Sequence, residues 1–409
     1  MTEKRVVLRN CGVIDPRQIS TYLDRDGFEA LKKARDSMSQ QQVIEEVKAS
    51  GLRGRGGAGF PCGLKWELAS KSPGNQKYVI CNADEGEIGT FKDKYILGND
   101  PFTLIEGIAI AGYTIGAKKG YIYLRAEYHY LLDLLEGALD QVKERGFLRH
   151  FDIEIYQGAG AYVCGEESAL MDSIEGKRGE VRYKPPFPPS IGLWGKPTVI
   201  NNVETLMNIP QIIFNGANWF TELGTERSKG TKVFSTSGDV ERPGVYELVL
   251  GSSLRELVEE LALARNVKMV QIGGATGRII PHQMIDTPLA FESLLGAGSV
   301  IVYDESRDIV DIVYRTMEFL AEESCGKCTP CREGTEAMTG ILRRFSHGEG
   351  LKGDIRALEE LSSTMMIASM CGLGQAAPTP VVDTLHYFRD AYEDRIKKPN
   401  GVNGYDNGY

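Results

Sequence analysis

The chain has no long apolar run. Its most hydrophobic stretch, Phe102 to Ala117, is broken by Glu106 and three glycines and falls short of the roughly 20 residues that a bilayer core demands. A membrane-spanning helix is therefore excluded there. Basic charge is not in excess either: 47 Lys and Arg face 56 Asp and Glu, a net charge of −9, the wrong sign for a general affinity for nucleic-acid phosphates. Histidine is scarce, and the five present, His129, His150, His282, His347 and His386, show no ligand spacing. They read as structural or exposed. Cysteine is sparse as well, eight in 409 residues, and a chain of this length needs no disulfide staples. The N-terminus carries no leader of charged, apolar and small residues of the kind that directs secretion. A cytoplasmic location is expected. Cys11, Cys62, Cys81 and Cys164 are scattered and read as buried small hydrophobes.

The other four cysteines are not scattered. Cys325, Cys328 and Cys331 stand in the run CGKCTPC, and Cys371 follows forty residues later. Two-residue gaps let one loop hold three corners of an iron-sulfur cubane while a distant loop closes the fourth. A structural zinc site is the rival, although four-thiolate zinc sites more often come as two Cys-x-x-Cys pairs. Glycine is abundant, 47 of 409 residues, against an average of about 7%. Backbone must often turn tightly or approach something closely.

Residues 1–62 read as a helical lead-in, with DGFEALKKARD and QQVIEEVKAS periodic at helical spacing, ending in a glycine loop. Residues 63–229 alternate strand and helix. Strands are expected at Tyr78–Cys81, Gly120–Leu124 and Asp152–Tyr156, and helices at Pro101–Ala117 and Tyr128–Arg145. This succession implies an α/β, Rossmann-like domain with a largely parallel sheet and ligands beyond the carboxyl ends of its strands. Six of the 17 prolines fall between Pro185 and Pro210, making a stiff loop that reads as a site wall or an interdomain strap. Residues 230–304 carry short strands and one helix, Leu254–Leu263, in the order of a ubiquitin-like β-grasp. Residues 305–396 are helical throughout, a small bundle around the cysteine loop. The polar tail, 397–409, is expected to be disordered.

Three further segments carry chemistry. GLRGRGGAGFPCGLKW (51–66) has five glycines in nine residues and then Lys65, an arrangement able to turn amides toward an anion or simply to turn tightly. It lacks the Gly-Lys-Ser/Thr ending of a P-loop and precedes a strand, where a dinucleotide glycine fingerprint follows one. CNADEGEIGTFKDK (81–94) crowds Asn82, Asp84, Glu85 and Glu87 where ribose or ribityl hydroxyls could be bound; a metal site or a solvated turn is the alternative. GAGAYVCGEESAL (158–170) places Glu166 and Glu167 at a helix start, favoured by the helix dipole alone or set against a nucleotide ribose. Asn201-Asn202-Val203-Glu204-Thr205 caps a further helix.

In this order, GRGGAGFP, CNADE, CGEE, KPPFP, NNVET and SCGKCTPCREG resemble one family over nearly the whole chain: the NADH-binding flavoprotein subunit of respiratory complex I and its soluble relatives in NAD-dependent hydrogenases and formate dehydrogenases. The resemblance implies three domains, an FMN- and NADH-binding α/β domain, an SLBB-type β-grasp and a helical bundle holding a 4Fe-4S cluster. From the glycine loop it implies Gly54, Arg55, Gly56, Gly57 and Lys65 around FMN. After the first strand it implies Asn82, Asp84 and Glu85, after the third Gly165, Glu166 and Glu167, and at the last motif Asn201, Asn202 and Thr205. Phe60, Glu87, Glu167, Lys184 and Phe187 would contact NAD(H), and Cys325, Cys328, Cys331 and Cys371 would ligate the cluster. No side chain is implied as acid or base. Hydride leaves NADH as an electron pair while a cluster accepts one electron at a time, and a flavin can mediate between them.

Leu68 stands where complex I members often carry an aromatic that stacks on adenine, and Gly86 and Ile88 depart from the complex I loop. CGLGQAAPTPV (371–381) looks like the hydrogenase and formate dehydrogenase branch. The expected assignment is thus a subunit of a soluble NAD-dependent hydrogenase or formate dehydrogenase, with the complex I subunit as alternative and a zinc-bearing, non-catalytic scaffold behind both. Partners implied are a thioredoxin-like 2Fe-2S subunit and a larger iron-sulfur, hydrogenase or formate dehydrogenase catalytic subunit, through which electrons would leave.

Overall fold

Four short strands make a wholly parallel sheet: β1 (Tyr78–Ala83), β2 (Lys119–Leu124), β3 (Asp152–Gln157) and β4 (Thr198–Asn202), in spatial order β3-β2-β1-β4. These come from a computed structural model that describes residues 3–397. The expected strands are present, each within a few residues of its reading. β4 was not foreseen, because its five residues, TVINN, follow the proline-rich loop directly and end in two polar side chains. The helix Pro101–Ile115 links β1 to β2 and buries every side chain but Tyr113. Asp100 accepts from the Thr103 N–H at its start, and Gly116 closes it in the left-handed conformation at φ 73°, which glycine adopts without strain. Glu106, in the middle of this apolar helix, is fully buried. Its carboxylate accepts the Phe28 and Leu31 amides at 2.9 Å each and the Tyr22 hydroxyl, and burial pushes its pKa up to about 7. The N-terminal helices Ile19–Leu23 and Glu29–Ser37 are thereby tied onto the sheet's covering layer, on which Gln40–Ala49 also packs.

The expected helix Tyr128–Arg145 is divided: a 3-10 segment, Ala126–Leu131, precedes the helix Leu132–Glu144. Helices Glu167–Ile174 and Val203–Asn215 follow β3 and β4. Past them a five-stranded mixed sheet forms from β5 (Thr231–Gly238), β6 (Gly244–Val249), β7 (Val267–Ile272), β8 (Arg278–Pro281) and β9 (Ser299–Asp304), ordered β6-β5-β9-β7-β8. Only the central β5–β9 pair is parallel. Where a regular helix was expected at Leu254–Leu263, residues Glu256–Leu261 wind as a π-helix.

The chain divides into two compact units between Ser306 and Arg307. The second is helical, comprising Ile309–Glu322, Thr329–Ser346, Asp354–Ala368, Gly372–Ala376, Thr379–Tyr387 and Asp390–Glu393. No helix among the described residues is long and apolar enough to cross a membrane. The tail expected to be disordered lies, from residue 398 onward, outside the described residues.

Candidate active site

The chain leaves β1 toward β2 and β3 on one side and returns to lay β4 on the other. Strand order therefore reverses at β1 and β4, and such a switch point opens a crevice beyond the carboxyl ends where ligands of open α/β sheets bind. Asn82 of β1 pairs in register with Asn202 of β4, and Cys81 with Asn201. Over this crevice lies the glycine loop. The Arg55 amide donates to Thr205 Oγ1 at 2.8 Å and the Gly54 amide to the Phe60 carbonyl at 2.9 Å. An ideal Cβ on Gly56 would stand 3.0 Å from Asn202 Cβ, so a side chain there would crowd the strand end, and Gly57 has φ +115°, a conformation that strains any residue with a side chain. From the other flank, Asn82 Nδ2 donates to the Gly165 carbonyl at 2.9 Å. Lys65 Nζ donates to the Ile200 carbonyl at 3.0 Å and sits 3.5 Å from Glu167 Oε2. Three segments far apart in sequence thus converge on one crevice.

Not every motif side chain faces outward from the fold. Asn201 Oδ1 accepts Trp66 Nε1–H at 2.9 Å. Glu85 accepts the Asp93 and Lys94 amides at 2.8 and 3.0 Å and the Tyr128 hydroxyl at 3.0 Å. Burial, and then Asp93, raise its pKa to about 7. Asp84 is buried with Arg125 Nη1 at 3.8 Å. Arg55 is buried, donates from Nη2 to the Lys229 carbonyl at 2.6 Å, and leaves its Nε without a hydrogen-bond partner among the described residues. Burial lowers its pKa to about 10.

Behind the crevice lies a charged group that the motifs did not announce. Asn202 Nδ2 donates to Asp93 at 2.6 Å, Lys92 Nζ donates to Asp93 at 2.6 Å and pairs with Glu204 at 3.1 Å, and Lys232 Nζ of β5 donates to Glu204 at 2.6 Å. All but Asn202 are buried. Burial lowers the Lys232 pKa to about 8 against the pull of Glu204. Burial likewise pushes the Glu204 carboxyl up, but Lys232 and Lys92 outweigh it and hold it below the ordinary range. The sequence signal is a lysine next to the apolar pair Val233-Phe234 at the start of β5.

The residues expected at the dinucleotide also come from several elements. Glu87 is anchored by the Tyr162 hydroxyl at 2.8 Å and by the Ala275 amide, from the turn after β7, at 2.6 Å. Burial raises its pKa. Phe60 and Phe187 are exposed. Glu166 caps the helix that follows, accepting the Ser168 and Ala169 amides at 2.8 and 3.1 Å. Lys184 Nζ, from the proline-rich loop, bridges Glu166 at 2.6 Å and Glu167 at 2.9 Å. For Glu167, burial raises the pKa but Lys65 and Lys184 prevail and lower it, so it is a carboxylate at neutral pH.

In the second unit, Cys328 is the N-cap of the helix Thr329–Ser346 and Cys331 lies in its first turn, where the helix dipole favours negative charge. Cys371 is the N-cap of Gly372–Ala376. The Cys331 pKa is raised to about 11, first by burial and then by Cys328, Cys371 and Cys325, so the other three thiols lie within electrostatic reach of Cys331. Ser324 Oγ lies 3.3 Å from Cys331 Sγ. Among the described residues no three His, Cys, Asp or Glu side chains are spaced to hold a single metal ion.

Comparison with known proteins agrees with this division. The model of the Nuo51 FMN-binding domain matches residues 47–211, and that of the NADH-ubiquinone oxidoreductase-F iron-sulfur binding region matches residues 311–395. The chain is 44% identical to the NADP-reducing hydrogenase subunit HndC of Solidesulfovibrio fructosivorans, over 97% of this chain and 84% of that protein. It is 45% identical to an NADH-quinone oxidoreductase subunit of Rhizobium meliloti (strain 1021), over 96% of this chain and 98% of that protein. Its fold matches the solved NAD+-reducing [NiFe]-hydrogenase in the H2-reduced state with a TM-score of 0.89 at 39% identity, covering 97% of this chain and 68% of that one. With an FMN-binding domain and an iron-sulfur binding region on one polypeptide, the chain belongs to the oxidoreductase flavoprotein family that includes the NADH-binding subunits of NADH-quinone oxidoreductases and the corresponding subunits of NAD(P)-reducing hydrogenases.

Proposed function

We propose that this chain is the electron-exchange subunit of a soluble, cytoplasmic NAD-dependent hydrogenase or formate dehydrogenase, binding FMN and NAD(H) at the β1–β4 crevice and a 4Fe-4S cluster at Cys325, Cys328, Cys331 and Cys371. The observation that carries the reading is the convergence of the glycine loop, the two strand ends and the Gly165–Glu167 turn on the switch point. The residues fit FMN. The side-chain-free surface at Gly56 and Gly57 leaves a cradle that a Cβ would disturb, and the unpartnered, buried Arg55 Nε is a donor in want of an acceptor. The cysteines fit a cluster: Cys328 and Cys331 open one helix, Cys371 caps another, and the other three thiols act electrostatically on Cys331.

When bound, FMN supplies two-electron acceptance with one-electron release, and a 4Fe-4S cluster supplies one-electron transfer. The chain's own residues bind and orient. Gly54, Gly56, Gly57 and Lys65 would face phosphate. Asn82, Asp84, Gly165, Asn202 and Thr205 would line the flavin, with Arg55, Glu85 and Asn201 as buried supports of that wall. Phe60 and Phe187 offer aromatic faces for stacking, while Glu87, Glu167 and Lys184 offer polar contacts to the dinucleotide. Holding nicotinamide against flavin in one orientation is the catalytic contribution, and no side chain serves as acid or base.

Residues 63–229 would then be the nucleotide domain, 230–304 a β-grasp, in agreement with the β6-β5-β9-β7-β8 order and its single parallel pair, and 305–396 a helical bundle. A thioredoxin-like 2Fe-2S subunit and a larger catalytic subunit would take up the electrons. A second reading, the electron-entry subunit of respiratory complex I, is favoured by the near full-length likeness to the Rhizobium protein. Anaerobic titration of the purified chain with NADH tests the core of both. Flavin bleaching followed by a reduced 4Fe-4S EPR signal is expected; a colourless, zinc-containing protein would refute it.

Glu167→Gln is expected to raise the NADPH:NADH ratio of kcat/KM about fivefold or more. Removing a negative charge near the ribose is worth on the order of 1 kcal/mol at a partly buried site. Lys184, freed of that partner, remains to attract a 2′-phosphate. An unchanged ratio would remove Glu167 from the dinucleotide site.

A further inference from the structure

Ser369 lies two residues before Cys371, at the C-terminal cap of the helix Asp354–Ala368. Its backbone is pinned at both polar atoms: the amide donates to the Met365 carbonyl at 3.1 Å, and the carbonyl accepts Gln375 Nε2–H at 3.0 Å. The residue is 5% exposed, and its hydroxyl is buried with no hydrogen-bond partner among the described residues. Such a group carries a cost of about 1–3 kcal/mol unless something answers it.

What stands beside it is the cysteine centre. An ideal Cβ on Gly374 would meet Ser369 Oγ at 2.7 Å and Cys331 Cβ at 2.9 Å, so the hydroxyl and the most buried of the four cysteines crowd one point. Glycine at 374 is what permits that closeness. The other nearby hydroxyl, on Ser324, is already placed between Cys331 Sγ and the Gly326 amide, each at 3.3 Å. Ser369 is therefore a buried hydroxyl beside this centre with no partner among the described residues.

We propose that Ser369 Oγ–H donates a hydrogen bond to a thiolate or sulfide sulfur of the iron-sulfur cluster and raises the cluster's reduction potential. The inference rests on the reading of the four cysteines as its ligands. A donor aimed at sulfur stabilises the reduced, more negative cluster more than the oxidised one, and hydrogen bonds to the sulfurs are among the factors that set such potentials. The hydroxyl oxygen gains no bond to iron and no electron passes through it.

The test is an EPR-monitored redox titration of the full chain with its cluster assembled, for the wild type, Ser369→Ala and Ser369→Thr. In Ser369→Ala the cluster midpoint is expected to move negative at unchanged iron content. In Ser369→Thr, which keeps the hydroxyl, it moves back toward the wild type, and the flavin midpoint stays in place in both. An unshifted midpoint in Ser369→Ala with full iron overturns the proposal. Should that variant fail to assemble a cluster, proton ENDOR of the reduced cluster before and after exchange into D2O, in wild type and Ser369→Thr, decides: amide and Ser324 protons are common to both, so an exchangeable coupling that differs between the two upholds the hydrogen bond and identical exchangeable couplings overturn it. A wild-type chain without iron would instead refute the cluster reading itself, an outcome the iron assay separates from the rest.

Discussion

Cys328→Ala is expected to abolish the 4Fe-4S EPR signal while FMN content and NADH:ferricyanide activity survive. Cys328 is the N-cap of Thr329–Ser346 but contributes no side-chain cap hydrogen bond, so truncating it takes away a ligand rather than a helix start. The helix retains Pro330 in its first turn, which prefers that place. Every residue assigned to flavin or dinucleotide belongs to the other compact unit, and hydride exchange precedes the cluster. Iron, flavin and ferricyanide reduction measured on one preparation check this. Joint loss of FMN and iron would show that the two sites are not separable as assigned.

Glu204→Ala is expected to be the most destabilising single change in the nucleotide unit, by about 3–5 kcal/mol, the range for breaking a buried ion pair from one side. The carboxylate answers two buried ammonium groups, Lys232 at 2.6 Å and Lys92 at 3.1 Å, and accepts the Val233 amide at 2.8 Å. Lys92 keeps Asp93, but Lys232 keeps only the carbonyl of Val233. Adding Lys232→Met should therefore recover part of the loss. Because the Glu204 pKa is depressed in the fold, its contribution is complete above the ordinary carboxylate range and disappears as pH falls through the lowered value. Denaturant unfolding followed by flavin release measures both effects. A midpoint for Glu204→Ala equal to wild type would mean the two lysines are not held as described.

The local signals were readable because they are local. Helical and alternating periodicity marked Pro101–Ile115, β1, β2 and β3, and the motif glycines marked the turns. Pairing between distant segments was not. β4 has five residues and a polar end, so nothing in TVINN distinguishes a parallel edge strand from a cap, and the switch point depends on it. Arg55, Glu85 and Asn201 carry ligand-binding residue types, but apart from Arg55 Nε they are engaged by Lys229, Asp93, Lys94, Tyr128 and Trp66. Which way such a side chain turns is decided by partners that sequence order does not place nearby. Lys92, Asp93, Lys232, Tyr162 and Ser369 escaped for the same reason. A buried lysine in a strand is a visible anomaly, but its counter-charge is chosen by the tertiary fold.

The crevice also sets a timetable for biosynthesis. Its roof is fixed by the contact between Arg55 and Thr205, 150 positions apart, and its rear wall waits for Lys232. Closing so long a loop is slow compared with local folding. A ribosome-bound chain that has released the glycine loop, β1, β2 and β3 still has no place to seat a flavin. With the flavin in the proposed site, cofactor loading would come late, after the first strand of the second sheet has emerged, and a truncation ending before Thr198 is expected to be colourless.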